Sequence, residues 1–441
     1  MILIKNQAYL TDLSEQETKY IKSGLTIRNP AVLQSLRTAR SMFGKQSYLY
    51  YYEETESALV IPIGYLQEAC KIIRNPELLD ARYESKKTLD ISFKGALRNY
   101  QQEVVDTLMR KTVGVVQAKT GSGKTVMMIN AICTRKQPTL VLVNTLDLLQ
   151  QFKDRLVDFT TLKEEEIGVL GGGVKKLGPV TLATLQTMNT LKPDTYKNLN
   201  EIFGQVFCDE VHVVAASTFF KVLTSLNPKY RFGFSATPER TDGLDKVINF
   251  AVGPLIHKVD EAKLKDVVIK PEVKYVKTDY YYPLFSSDEY QYMLNDMAEH
   301  EGRNEHIFKV VEHFSDHVMA LLCSRVAHVD LLSEKYPEAG VITGKTPKKK
   351  RKEILDKLRS GDLTRVISTY QCFSTGIDVP GLEALIMCGP IQSKIILKQC
   401  AGRLMRTKAG KKHPQMVYMI DHKVSLLKNQ SYKVKKILRN L

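Results

Sequence analysis

A lysine, a threonine and two glycines stand where a chain of phosphates could be held. Gly121-Ser-Gly-Lys-Thr125 follows the apolar run Val113-Gly-Val-Val116 and precedes Val126-Met-Met-Ile-Asn-Ala-Ile132. The first run has the character of a buried parallel strand, and the second reads as a packed helix. Strand, glycine loop and helix are the parts of a phosphate-binding loop. Gly121 and Gly123 let backbone N–H groups close on phosphates, which also meet the positive end of the helix. Lys124 can reach the β and γ phosphates, and Thr125 can ligate Mg²⁺. Ala118, followed by Lys119 and Thr120, stands where the strict pattern begins with glycine. Read alone, the loop could be an ordinary strand-to-helix turn. The lysine, the threonine and the flanking runs favour nucleotide. A second acidic signal supports it: Val206-Phe-Cys208 runs into Asp209-Glu-Val-His212. After an apolar strand, Asp209 can hold Mg²⁺ through water while Glu210 polarises the attacking water. His212 suits a structural role equally well.

Two more groups could complete the chemistry. Tyr100 and Gln101, in Leu97-Arg-Asn-Tyr-Gln101, could stack on and hydrogen-bond an adenine, or simply open an amphipathic helix. Arg403 and Arg406, in Gln399-Cys-Ala-Gly-Arg-Leu-Met-Arg406, lie three apart on one helical face. That spacing suits arginines that reach a γ phosphate, and it equally suits a surface amphipathic helix.

The elements that must position these groups follow an α/β rhythm. Val113–Val116, Thr139–Val143, Val180–Ala183, Val206–Cys208 and Tyr230–Phe234 read as strands of a doubly wound sheet, with a helix over 146–159. Polar residues recur at their C-terminal ends, where open α/β sheets place ligand sites. Gly171-Gly-Gly173 reads as a turn. Residues 254–300 read as a connector containing the strand-like Lys270–Lys277. The rhythm then resumes with strands over 319–323, 339–342, 365–369, 384–387 and 415–420 and helices over 349–359 and 393–404. This second unit has no phosphate loop. Residues 1–90 carry no nucleotide signal; they read as a small α+β module with strands near 47–53 and 58–64 and a short helix over 34–42. Its tyrosines can stack on bases or fill a half-buried sheet face. The basic run Lys348–Lys352 reads first as a solvated helix face, then as a phosphate contact.

With 441 residues the chain exceeds one core and suggests two or three domains. No apolar run approaches the roughly 20 residues of a membrane span, and the first residues lack the features of a signal peptide. Seven scattered cysteines without a C-x-x-C pair read as reduced core thiols of a cytosolic protein, with no zinc or iron–sulfur spacing. The net charge of +16, from 64 basic and 48 acidic residues, points to a polyanionic partner or to a generally basic surface.

Taken together and in this order, the motifs resemble those of superfamily 2 helicases over residues 95–425. Leu97–Gln101 looks like the adenine-reading Q motif. Ala118–Thr125 looks like motif I, which often starts with alanine. Asn144-Thr145 with Gln151 is similar to motif Ia, although a proline is usual at the position of Asn144. Thr184-Leu-Gln186 falls at motif Ib, and Asp209–His212 is a DExH box. Ser235-Ala-Thr-Pro-Glu-Arg-Thr-Asp-Gly243 matches motif III as extended in the XPB-like branch. Arg303-Asn304 and Ser324-Arg325 resemble the start of the second domain and motif IV. Thr369 with Ser374–Asp378 resembles motif V, and Gln399–Arg406 motif VI. In layout the chain is most similar to phage branch-migration helicases of the UvsW type.

The resemblance implies two tandem RecA-like parallel-sheet domains, at 91–257 and 301–441. An accessory module expected to bind DNA would occupy 1–90, and a connector 258–300. It implies ATP and Mg²⁺ as cofactors, with ATP held by Arg98, Tyr100, Gln101, Ala118, Lys119, Thr120, Gly121, Ser122, Gly123, Lys124, Thr125, Gly376 and Asp378. Thr125 and Asp209 would serve the metal, and Lys124, Asp209, Glu210, Gln399, Arg403 and Arg406 catalysis across an interdomain cleft. His212, Ser235 and Thr237 would couple hydrolysis to movement. Asn144, Thr145, Thr184, Gln186, Arg325, Thr343, Gly344 and Thr369 would grip nucleic acid. The expected partner is forked or branched DNA and no membrane, in the cytoplasm of a bacterial or phage-infected cell. An RNA helicase, a restriction-system motor with its nuclease on another chain, and a non-enzymatic binding protein are the alternatives.

Overall fold

The structure is a computed structural model that describes residues 1–441 apart from 31, 33–45, 120, 213–216, 237–243, 265–268, 284–285, 287–288, 378 and 440–441. Met1–Lys119 and Gly123–Asp260 make one compact unit, and Glu261–Leu441 the body of a second.

The core of the first unit is a sheet of eight strands among the described residues. In order across the sheet they are Val174–Lys176, Gly168–Gly171, Val180–Thr184, Thr139–Val143, Gln205–Asp209, Tyr230–Ser235, Val113–Gln117 and Leu255–Lys258. Only the hairpin 168–176 is antiparallel. Every residue of Thr139–Val143 and of Val180–Thr184 is buried. This is the expected state of a central parallel strand covered by helices on both faces, and it explains why these runs are continuously apolar. The helix Leu146–Phe159 begins where the Thr145 hydroxyl accepts from Leu148 N, and it buries Leu149, Phe152 and Leu156 on one stripe. The glycine turn at 171–173 closes the 168–176 hairpin, and Gly172 and Gly173 have φ of +60° and +87°. Strands this short and glycine-bounded give no periodic signal in sequence.

Residues 1–80 hold a five-stranded sheet in the order Glu53–Glu54, Leu59–Ile61, Ala8–Leu10, Ile2–Ile4, Leu78–Asp80, and a separate pair, Thr26–Arg28 with Tyr48–Tyr50. The helix expected over 34–42 lies outside the described residues. This α+β module does not close its core alone. Ile2, Leu10, Ile21, Leu59 and Ile61 share one apolar cluster with Phe250 of the helix Asp245–Val252. A Cβ at Gly64 would stand 1.7 Å from the Asn249 carbonyl, so only glycine permits this approach. Tyr51 packs its ring on Phe220 and Phe250, at 5.1 and 5.7 Å.

The second unit carries a six-stranded, wholly parallel sheet in the order Glu272–Thr278, Gln415–Asp421, Ala384–Met387, Met319–Cys323, Arg365–Thr369, Gly340–Ile342. The stretch 258–300 is therefore more than a connector. Its strand Glu272–Thr278 pairs along its whole length with Gln415–Asp421, and its helix Tyr290–Glu299 buries Met293, Leu294 and Met297. A buried ion pair ties the unit together: Arg303 Nε donates to Asp421 Oδ1 at 2.7 Å, and Thr278 Oγ1 donates to the same oxygen at 2.6 Å. The seven cysteines are free, five of them buried. No helix of the described residues is long and apolar enough to cross a membrane.

Candidate nucleotide-binding and catalytic site

In the first unit Gln205–Asp209, Tyr230–Ser235 and Val113–Gln117 are hydrogen-bonded neighbours, so their C-terminal ends lie side by side. Those ends carry Asp209-Glu210, Ser235 and the glycine loop. Ala118 N donates to the Ser235 carbonyl at 2.9 Å, which fixes the start of the loop. Gly121 and Gly123 have φ of +88° and +81°, left-handed values that a side chain would strain. A Cβ at Gly123 would also stand 2.4 Å from Gln101 Nε2. The helix Lys124–Arg135 then starts with no side chain capping it, so its first N–H groups are oriented for an anion. Lys124 and Thr125 occupy that first turn, and Ser122 is fully buried in the loop.

A run of polar contacts joins the loop to the acidic pair. Lys124 Nζ donates to Glu210 Oε1 at 2.8 Å. His212 Nδ1 lies 3.4 Å from Glu210 Oε2 and 3.2 Å from Ser235 Oγ. Glu210 N donates to Asp209 Oδ1 at 3.0 Å. Glu210 is one of four non-glycine residues at positive φ among the described residues, with φ +50°. Such a conformation persists only where surrounding structure imposes it, and such sites cluster at functional positions. The two carboxyls are driven apart. Burial, and then the Glu210 charge, pushes Asp209 up. Burial would raise Glu210 too, but the Lys124 ammonium and His212 outweigh it and hold Glu210 well below the usual carboxylate range. One ammonium thus contacts one member of an enclosed acidic pair. A divalent cation at Asp209 would supply the charge this pair lacks, so the donor set fits Mg²⁺.

The other expected residues divide into groups. At the strand ends 143 and 184, Gln186 Nε2 donates to Asn144 Oδ1 at 3.2 Å, while Thr145 and Thr184 cap the helices that follow. These four are brought together. In the second unit, Thr369 caps the helix Tyr370–Gly376, and the Thr343 carbonyl accepts from Arg351 at 3.2 Å. Gly344 faces open space, and Arg325 donates to Gln291. Gln399 is half-buried on the helix Lys394–Leu404. Thr120, Thr237 and Asp378 lie outside the described residues.

Two of the expected residues are enclosed by packing. Arg403 is 7% exposed and donates to the carbonyls of Ser374 and Ile377. It braces the last turn and the C-terminal cap of the helix Tyr370–Gly376. Tyr100 is 4% exposed, on the buried face of the helix Asn99–Arg110. Gln101, also buried, accepts from Arg98 N at 3.0 Å and supports the glycine loop at Gly123. Arg98 is exposed. Arg351, inside the basic run Lys348–Lys352, is held through its bond to the Thr343 carbonyl.

Residues 94–240 match the family described as type III restriction enzyme, res subunit, and residues 302–408 match the helicase conserved C-terminal domain. A DNA 3'-5' helicase XPB of Kineococcus radiotolerans is 31% identical over 330 residues, 71% of this chain and 58% of that one. The chain belongs to the superfamily 2 helicases. These are ATP-hydrolysing enzymes, and the two matches fall on the two parallel-sheet units. A putative ATP-dependent RNA helicase of Acanthamoeba polyphaga mimivirus is 26% identical over 95% of this chain and 81% of its own. Against the XPB relative the helicase spans little more than half the length. Among solved structures, a fragment of a putative HsdR subunit of a type I restriction enzyme from Vibrio vulnificus shares the fold. Its TM-score is 0.57 at 19% identity, over 77% of this chain and 66% of that one.

Proposed function

We propose that this helicase is a DNA motor that hydrolyses ATP with Mg²⁺ and unwinds or branch-migrates forked or branched DNA. The observation that carries the chemistry is the run Ser235–His212–Glu210–Lys124 beside the glycine loop. With nucleotide bound, Lys124 exchanges the Glu210 carboxylate for phosphate oxygens. The ammonium that depresses Glu210 is then drawn off, and the carboxylate gains basicity where it must accept a proton from water. Thr125 and Asp209 would hold the metal, which supplies charge neutralisation at the phosphates. His212 and Ser235 report the state of Glu210 to the strand Tyr230–Ser235. Arg406 and Gln399 are assigned to the developing phosphate charge on the motif alone, while Arg403 shapes the Ser374–Ile377 segment.

DNA as the partner is supported by the XPB relative's name and by the charge of +16, which suits phosphate neutralisation. The mimivirus relative's name favours RNA as a second reading. Stimulation of ATP hydrolysis by forked DNA, a Holliday junction, plain duplex, single-stranded DNA and single-stranded RNA separates the two. Forked or branched DNA is expected to stimulate most. Preferential stimulation by RNA would overturn the DNA assignment, and equal stimulation by plain duplex the preference for branches.

A further inference from the structure

The tyrosine cluster of the first residues is split by the fold. Tyr51 and Tyr52 pack inward on the module's apolar cluster, whereas Tyr48 and Tyr50 are 48% and 57% exposed. The strand pair explains the split. Tyr48 lies opposite Arg28, and Tyr50 opposite Thr26, so all four side chains leave the same face of the two-stranded sheet. Ile27, on the other face, packs on the core. The outer face therefore presents two phenol rings about 6.8 Å apart along the strand, with the exposed Arg28 beside them. Tyr52 meets the Tyr50 ring edge-on at 5.9 Å and helps fix its orientation. Exposed large aromatics grouped on one face signal a binding surface more than isolated exposed residues do.

We infer that Tyr48, Tyr50 and Arg28 form a stacking platform for a single-stranded segment of nucleic acid. The inference rests on the proposed DNA motor and names a contact outside the helicase motifs. Charge favours this occupant over an apolar protein surface. Arg28 stands exposed opposite Tyr48 and the chain carries a net charge of +16; of the acidic residues that follow the rings, Glu53, Glu54 and Glu56, Lys22 engages Glu54. Rings take bases without regard to sequence because every base has a π-face, while the guanidinium meets a phosphate. The platform would hold the displaced strand of a fork without reading it.

The test is binding of a short labelled oligothymidylate to the full chain, followed by fluorescence anisotropy across a salt series. Y48A/Y50A is expected to bind about tenfold or more weakly than wild type, from the stacking energy of roughly 1–3 kcal/mol per base. Y48F/Y50F should retain wild-type affinity. The salt slope of Y48A/Y50A should match wild type, whereas R28Q should reduce it by about 0.7, one phosphate contact on a single strand. ATP hydrolysis without DNA should be unchanged in all three variants. Wild-type affinity in Y48A/Y50A would overturn the platform, as would Y48F/Y50F binding as weakly as the alanine variant. A wild-type chain that binds no single strand, yet hydrolyses ATP with duplex DNA, would sink the platform and spare the motor. No stimulation by any DNA would sink the motor itself.

Discussion

Removing the charge of Glu210 should tighten nucleotide binding while stopping hydrolysis. Without nucleotide, Lys124 donates to Glu210 Oε1 at 2.8 Å. The two side chains are 10% and 17% exposed, so water screens the pair only partly. At an effective dielectric of about 20 the gross attraction at this distance is roughly 6 kcal/mol. Most of it is regained when the ammonium passes to phosphate oxygens, because both partners are anions. What remains is the difference between competitors. A hydrogen bond between charged groups contributes roughly 1.5–3 kcal/mol, and the amide of Glu210→Gln keeps a neutral one of roughly 0.5–1.5. The carboxylate therefore opposes nucleotide by about 1.4 kcal/mol, a factor of about ten in Kd. Equilibrium titration of fluorescent ADP with magnesium, near neutral pH, reads this directly. Glu210→Gln should bind about tenfold tighter, and single-turnover hydrolysis should fall by roughly 10²–10⁴. A pH series adds a second reading. The metal needs Asp209 ionised, and burial together with Glu210 raises the Asp209 pKa, so wild-type affinity falls as pH drops through that raised value. Without the neighbouring charge Asp209 ionises more readily, and the acid limb should move to lower pH. Equal or weaker affinity in Glu210→Gln would refute the competition between carboxylate and phosphate.

Other consequences follow from specific contacts. Arg403→Lys should lower both hydrolysis and the melting temperature, because Arg403 holds the Ser374 and Ile377 carbonyls; Arg406→Ala should lower hydrolysis. Gly123→Ala forces a left-handed alanine and a contact with Gln101, so denaturant unfolding should show a loss of about 1–2 kcal/mol from the backbone alone. Adding Gln101→Ala should recover only the remainder. Arg303→Ala strands Asp421 in the core and should cost about 3–5 kcal/mol in urea unfolding, whereas Arg303→Met with Asp421→Leu should restore most of it.

Most of both sheets is legible in sequence because their strands are buried on both faces and read as unbroken apolar runs. Thr139–Val143, Met319–Cys323, Arg365–Thr369 and Ala384–Met387 fall where the runs stand. The edges are not legible. Leu255–Lys258 is half-exposed and its composition resembles a connector; Lys270–Lys277 reads as strand-like, but only its pairing with Gln415–Asp421 shows that it belongs to the second sheet. In the site, motif spacing identifies which residues sit near phosphate, since chemistry restricts their types. It does not tell how each is used. Arg403 and Tyr100 match their motifs as residue types, but packing turns one toward backbone carbonyls and the other into a core. The Gln101–Gly123 contact depends on a helix and a loop meeting in space, which no local pattern encodes. The division of the tyrosines likewise depends on the pairing of Thr26–Arg28 with Tyr48–Tyr50.

The central claim is that the glycine loop and the Asp209-Glu210 pair form one ATP-hydrolysing site that answers to DNA. The most direct test compares steady-state ATP hydrolysis by wild type and Lys124→Ala, each with and without forked DNA, alongside binding of the same fork. Wild type should hydrolyse ATP and accelerate with the fork, and Lys124→Ala should bind the fork about as well yet show no hydrolysis above background. Hydrolysis retained in Lys124→Ala would contradict the account.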